Sequence, residues 1–180
     1  MKKLDAILDT VSWPELELKP LAEGGAEWLA YLEKDPAADI CQHGAWGKIM
    51  ASAFGLESLL ILHRTEGVID GGLPLIMFDQ PLTGKAMISM PYLNYGGVLG
   101  RNENIKRIII DGCRELLKSA GADYMEFRHT GTGLGDIADA SRQNRITYRL
   151  DLDRPAEDIF RGFKKQLRTR IRKTDKIGLT

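Results

Sequence analysis

Two apolar runs, Leu59-Leu60-Ile61-Leu62 and Val68 to Phe78, flank the connection Arg64-Thr65-Glu66-Gly67. Runs this short, joined by a segment with glycine at the turn, read as buried strands of one hairpin. The longest purely apolar stretch, Leu73 to Phe78, is far below the ~20 residues that cross a bilayer. Lys85 to Met90 adds a third short strand and makes the group an antiparallel meander. Pro74 lies inside the second run and cannot donate a ladder hydrogen bond, which predicts an edge position or a kink there.

Helices are expected on either side of this meander. Leu16-Glu17-Leu18-Lys19 alternates as a half-buried strand, and Ala26 to Leu32 reads as a helix stopped by Asp35-Pro36. Ala45 to Phe54 reads as a second helix closed by Gly55. After Asn102, a good N-cap, the residues Ile105, Ile108, Ile109, Gly112, Cys113 and Leu116 form one helical stripe that ends near Gly121. Tyr124 to Phe127 and Ile146 to Leu152 read as strands, with a glycine-rich loop, Gly131 to Asp139, between them. A single last helix is expected from Pro155, capped by Asp153, with Phe160, Phe163, Leu167 and Ile171 as its apolar stripe. This order predicts an α+β (mixed α/β) fold, a central mostly antiparallel sheet flanked by helices, with residues 1–180 as a single domain.

The chain has 180 residues, with 25 Lys and Arg against 25 Asp and Glu. That composition excludes disordered, collagenous and coiled-coil classes. The neutrality conceals an asymmetry. Arg161 to Lys176 holds eight basic residues and one acid, a net of +7, so the remainder carries −7. Such a block marks an anionic partner or a solvated helix face. The N-terminus lacks the apolar region of a secretory signal. The chain therefore reads as soluble and cytoplasmic, or peripheral at the inner membrane face.

Few residues suit covalent or metal chemistry. His43, His63 and His129 are scattered, no zinc-binding spacing occurs, and no metal site is expected. Nucleophile-elbow, P-loop and G-x-G-x-x-G patterns are absent. Cys41 and Cys113 read as core residues. Two kinds of segment remain. Ser89 to Gly97 follows a strand and contains two aromatics, an amide and the pair Gly96-Gly97, so its backbone N–H groups can face a ligand. The same residues also suit a tight turn with its aromatics packed on the core, and both readings stay open. Arg128 and His129 end a strand, where sheets often host sites, although such a pair is more often structural. The basic helix suits phosphate or carboxylate recognition through its arginines.

Several segments in order carry a resemblance. They are Cys41-Gln42-His43-Gly44-Ala45-Trp46, Phe54-Gly55, Gly72-Leu73-Pro74-Leu75, Met90-Pro91-Tyr92-Leu93-Asn94-Tyr95-Gly96-Gly97, Glu126-Phe127-Arg128-His129, Phe163 to Lys173, and Lys176-Ile177-Gly178-Leu179. From Cys41 onward the chain resembles the first half of the FemAB-like proteins, whose domains are similar in fold to the GCN5-related N-acetyltransferases. The resemblance implies an N-acyltransferase that moves an aminoacyl or acyl group onto an amine of a cell-envelope acceptor, such as a peptidoglycan precursor or an exopolysaccharide-related molecule. It implies no tightly bound cofactor, and aminoacyl-tRNA or acyl-CoA as donor. It also implies an anionic or nucleotide-linked acceptor, tRNA as a further partner, and a second acyltransferase-like domain beyond the basic helix of residues 154–180.

On this resemblance, Asn94, Tyr95, Gly96, Gly97, Arg128 and His129 line the substrate cleft, and Arg168, Arg172 and Lys173 hold an anionic substrate. Catalytic residues are not assigned. Two departures stand out. Family members are about twice this length, so the chain reads as an N-terminal half. The Q/R-x-x-G-x-G/A loop that cradles pyrophosphate in acetyl-CoA enzymes has only a partial counterpart, Val98-Leu99-Gly100. A non-catalytic binding module and a nucleic-acid-binding domain are the rival expectations.

Overall fold

The structure, a computed structural model, describes residues 4–8, 13–80, 84–129, 137, 139–141, 148–176 and 178. The chain divides into two compact units, Met1–Ser141 and Arg142–Thr180. In the first unit a short helix, α1 (Leu4–Leu8), precedes strand β1 (Leu16–Pro20), helix α2 (Gly25–Leu32) and helix α3 (Ala45–Phe54). The meander follows as β2 (Ser58–Thr65), β3 (Val68–Gln80) and β4 (Gly84–Ile88). A two-residue strand, β5 (Leu99–Gly100), leads into helix α4 (Glu103–Ala120) and strand β6 (Tyr124–Glu126).

The strands form one sheet in the order β1-β2-β3-β4-β6, with β5 attached to β3. All pairings are antiparallel except β4 with β6. The expected mixed α/β sheet flanked by helices is what forms. The hairpin turn is tighter than expected: Glu66 and Gly67 both adopt positive φ, 51° and 80°, as a two-residue turn matching strand twist requires.

Because β2 and β3 are buried on both faces, their sequence is a continuous apolar run rather than an alternation. Leu59, Ile61, Leu73, Leu75 and Met77 join Ile105, Ile109, Cys113 and Leu116 in one core cluster. Leu60, Leu62 and Ile76 join Trp28 and Met50 in the other. The two layers meet the sheet at Gly71 and Gly72. A Cβ on Gly71 would lie 2.6 Å from Ile105 Cγ2, and one on Gly72 would lie 2.7 Å from Trp28 Cζ3. Helix α4 and the Trp28 indole therefore approach opposite sides of β3 more closely than any side chain there would allow.

Pro74 is not at an outer edge: it sits in β3, opposite Leu60 of β2. The missing N–H is tolerated because the other side of β3 changes partner there. β5 pairs with Gly71 and Gly72, and β4 with Ile76 to Gln80, which leaves residues 73–75 between them. The strand expected over Ile146–Leu152 is also corrected. Ile146 and Thr147 lie outside the described residues, while Tyr148 to Leu152 have no regular structure, and Tyr148 and Leu152 are exposed. Most of the expected Gly131–Asp139 loop likewise lies outside the described residues.

The second unit contains two helices where one was expected, α5 (Ala156–Gly162) and α6 (Lys165–Lys176). Phe163 breaks them with an extended backbone, φ −71° and ψ 148°, directly after Gly162, a poor helix residue. Pro155 is the N-cap of α5, with no side-chain cap bond, so Asp153 does not serve as the cap.

A buried polar knot ties the hairpin to the start of α4. The register of β2 against β3 shifts between His63 and Arg64, leaving Asp70 as the extra residue of a bulge. Its carboxylate lies 2.6 Å from His63 Nδ1, accepts from Thr65 Oγ1 at 2.6 Å, and lies 3.4 Å from Arg101 Nη2. Its carbonyl accepts from the Arg101 N–H at 2.8 Å, two residues before helix α4 begins.

Both features make predictions. Gly71→Val should destabilise the fold by about 1–3 kcal/mol through overpacking against Ile105 and Ile109, seen as a lower urea midpoint with little change in slope. Asp70→Ala, which leaves buried polar groups unpaired, should cost about 3 kcal/mol on the same measurement.

Candidate functional site

The chain between β4 and β5 is shaped by the change of partner on β3. Ile88 is opposite Ile76, so continuing the register would set Met90 against Pro74, which has no N–H to give. β4 leaves β3 at that point. Ser89 is handed to the neighbouring strand instead, its N–H donating to Glu126 O at 2.8 Å and its hydroxyl accepting from the Arg128 N–H at 2.6 Å. Met90 and Tyr92 then take left-handed backbone conformations, with φ 48° and 67°. Bulky residues rarely adopt this region, and such strain concentrates at functional sites.

Two segments far apart in sequence hold the resulting loop. Arg128 donates from Nη1 to Leu93 O at 2.8 Å and from Nε to Glu126 Oε1 at 3.0 Å. Gln42 is buried; its Nε2 donates to Gly97 O at 2.9 Å, while its Oε1 accepts from the Asp39 N–H at 2.8 Å. The Gln42 carbonyl accepts from Trp28 Nε1 at 2.8 Å, tying this turn to the helix that packs on Gly72. The backbone amides of Tyr95 and Asn94 act electrostatically on the Cys41 thiol and favour its ionised form. Burial and the Asp39 carboxylate push the Cys41 thiol up to about 11, against the pull of those two amides. It is therefore a neutral thiol at physiological pH rather than a reactive thiolate.

The glycine pair is required by its surroundings. Gly96 has φ 142°, and a Cβ there would lie 2.5 Å from the Met90 side chain. A Cβ on Gly97 would lie 2.7 Å from His129 Nδ1. His129 therefore rests against the loop, at the C-terminal ends of the parallel pair β4 and β6. Burial and, secondarily, Lys106 pull its imidazole below the usual histidine value, and Glu103 opposes them. It is held neutral at pH 7 and can accept a proton. On the outer side, the Tyr92 ring stacks on Phe54, with centroids 5.1 Å apart, and both rings are exposed.

Six of the expected site residues thus come together: Asn94, Tyr95, Gly96, Gly97, Arg128 and His129. Asn94 is exposed, whereas two guanidinium nitrogens of Arg128 are engaged in holding the loop. Arg168, Arg172 and Lys173 belong to α6 in the second unit. There Arg168 is half-buried, and the Arg172 guanidinium carbon lies 5.3 Å from the centre of the Phe160 ring.

Gln42, Ser89 and Tyr92 lie within the candidate segments, but their roles do not follow from the sequence pattern. Nothing local shows that the Gln42 amide reaches a loop 55 positions away. The Val98–Gly100 stretch is no open cradle, since Leu99 and Gly100 pair with β3 and Asn102 Oδ1 caps α4 by accepting from the Ile105 N–H at 3.0 Å. Among the described residues no group of His, Cys, Asp and Glu side chains could hold a metal ion.

The sequence matches no protein-family model and no curated protein. Solved structures with a similar chain path include a ribosomal-protein-alanine N-acetyltransferase from Brucella melitensis (12% identity, 76% of this chain and 99% of that one, TM-score 0.49). An acetyltransferase from Trypanosoma brucei is similar at 19% identity, covering 77% of this chain and all of the other, with TM-score 0.45. A glucosamine-6-phosphate N-acetyltransferase from Arabidopsis thaliana gives 10%, 76%, 99% and 0.45 in the same measures. At these scores the likeness is one of outline, and it assigns no activity to this chain.

Gln42→Ala removes the amide that fixes Gly97. It should cost about 1–3 kcal/mol and speed hydrogen exchange at the Asn94 and Tyr95 amides, with the α4 core amides much less affected.

Proposed function

We propose that the chain is the first half of a FemAB-type N-acyltransferase, with the Ser89–Gly97 loop and His129 forming the reacting end of its cleft. One observation supports this above the others. The resembling segments that hold Gln42, Leu93 to Gly97 and Arg128 converge on one loop, joined by direct hydrogen bonds from Gln42 to Gly97 and from Arg128 to Leu93. A substrate amine attacks an activated acyl ester or thioester; the nitrogen–carbon bond forms, the carrier leaves, and the amine proton must go to a base. No covalent enzyme intermediate is required, so the lack of a nucleophile is no obstacle.

His129 is the base in this reading, neutral and placed against the loop. Asn94 and Tyr95 line the acceptor side. Arg168, Arg172 and Lys173 hold an anionic portion of the acceptor, and a second acyltransferase-like domain completes the cleft. The acceptor is a nucleotide-linked or other anionic cell-envelope precursor bearing a free amine, and the donor is aminoacyl-tRNA or acyl-CoA.

The test is amide formation by the full-length protein, followed by mass spectrometry with each donor and an amine-bearing peptidoglycan precursor. His129→Gln should lower kcat/KM by about 10²–10⁴. The wild-type acid limb, placed below the ordinary histidine pKa of about 6.5, should vanish in this variant. Activity that keeps that limb in the variant would remove His129 from the reaction.

One observation favours a second reading, a substrate-binding module without turnover. Arg128 and Gln42 are engaged in holding the loop, and the Leu99–Gly100 backbone is paired with β3, rather than open to a ligand. Saturable precursor binding with no amide product from any donor would favour it.

A further inference from the structure

The second unit displays charge and apolar surface together. On α6 the side chains of Lys165, Arg170, Lys173 and Lys176 are exposed, and none is in an ion pair among the described residues. Leu167 is 44% exposed, with Ile171 one turn further on and half-buried. Arg168 and Arg170 bracket that Leu–Ile stripe, each roughly 80° away around the helix. The hydroxyls of Thr169 and Thr174 donate to the carbonyls of Lys165 and Arg170, so neither needs water. Ahead of α5, Tyr148, Leu150 and Leu152 are 91%, 48% and 73% exposed.

We infer that α6 docks this unit on an anionic lipid surface, lying along it with Leu167 toward the acyl chains and the flanking arginines at the headgroups. A helix with an apolar stripe between cationic borders is the pattern of an interfacial helix. The positive block complements the negative surface potential of anionic lipid. Nucleic acid fits less well. Single-strand grooves stack successive bases on several aromatic faces, but α6 carries no aromatic residue, the half-buried Phe160 ring of α5 is covered by Arg172, and the exposed Tyr148 is a single ring ahead of α5. A phosphate backbone would also leave Leu167 and Leu152 without a role. The inference shares Arg168 with the acyl-transfer reading, but its test rests on Leu167 and Arg170, which that reading leaves aside.

Co-sedimentation of the full chain tests it, with vesicles of phosphatidylcholine alone or containing about a third phosphatidylglycerol. Binding is expected only to the anionic vesicles and should fall with salt. Arg170→Gln, at the border of the stripe, should lower the partition coefficient by about fivefold, the effect of one charge at the surface. Leu167→Ser should weaken binding without altering charge, which a purely ionic contact would not show. Both positions are exposed, so an unchanged melting temperature verifies the variants. Equal binding to neutral vesicles, no binding to anionic ones, no effect of Leu167→Ser, or binding to tRNA but not to vesicles would each overturn the inference.

Discussion

The first unit depends on the close approach at Gly71 and Gly72. A sheet strand that must accept a helix on one face and an indole on the other, with minimal separation on both, cannot carry a Cβ at either position. The same two residues pair with Leu99 and Gly100, which sets the entry to α4. From this contact the layering follows. The Ile105–Ile109 surface seals one side, Trp28 the other, and the Trp28 N–H reaches the Gln42 carbonyl, whose side chain holds the candidate site. A packing constraint in β3 is thus continuous with the placement of Gly97.

Pro74 supplies the second constraint. Within a central strand a proline is normally excluded, but here its missing donor falls where β3 exchanges β4 for β5. The residue that the register would bring opposite it, Met90, is one of the two bulky residues in the loop with left-handed backbone. The departure of β4 from the sheet is therefore local chemistry. It creates the opening between β4 and β5 in which Ser89 to Gly97 and His129 gather.

What could be seen in the sequence divides along the range of the interactions. Helix α4 was legible because its signals are local: Asn102 caps it, Gly121 ends it with φ 65°, and five of the six stripe residues are buried. Helix α3 and its left-handed Gly55 were legible for the same reason. The two-residue β5 has no periodicity to detect, and it exists because Gly71 and Gly72 lie beside it. The break between α5 and α6 was hidden by Phe160, Phe163, Leu167 and Ile171, whose spacing suits one helix. Gly162 and the extended Phe163 override that pattern. Pro74 is legible as unable to donate, which leaves an edge or a kink open, but a change of partner within a strand leaves no mark in its own residues. In the candidate site the glycine pair and His129 were visible as motif members. The bond from Gln42, the residue that holds Gly97, was not.

The distribution of polar groups bears on how such a site works. Ser89, Arg128 and Gln42 all bond to backbone, so their contribution is the shape of the loop rather than direct contact with a ligand. That leaves the exposed Asn94, the neutral His129 imidazole and the Tyr92 ring to meet whatever enters. Transfer of an acyl group between a carrier and an amine asks for little more from side chains: alignment of two substrates and one place for a proton. A loop fixed by buried bonds in a strained conformation provides the first, because its geometry need not be organised anew at each encounter. In the proposed reaction His129 would provide the second, since the burial that presses it against Gly97 also lowers its proton affinity.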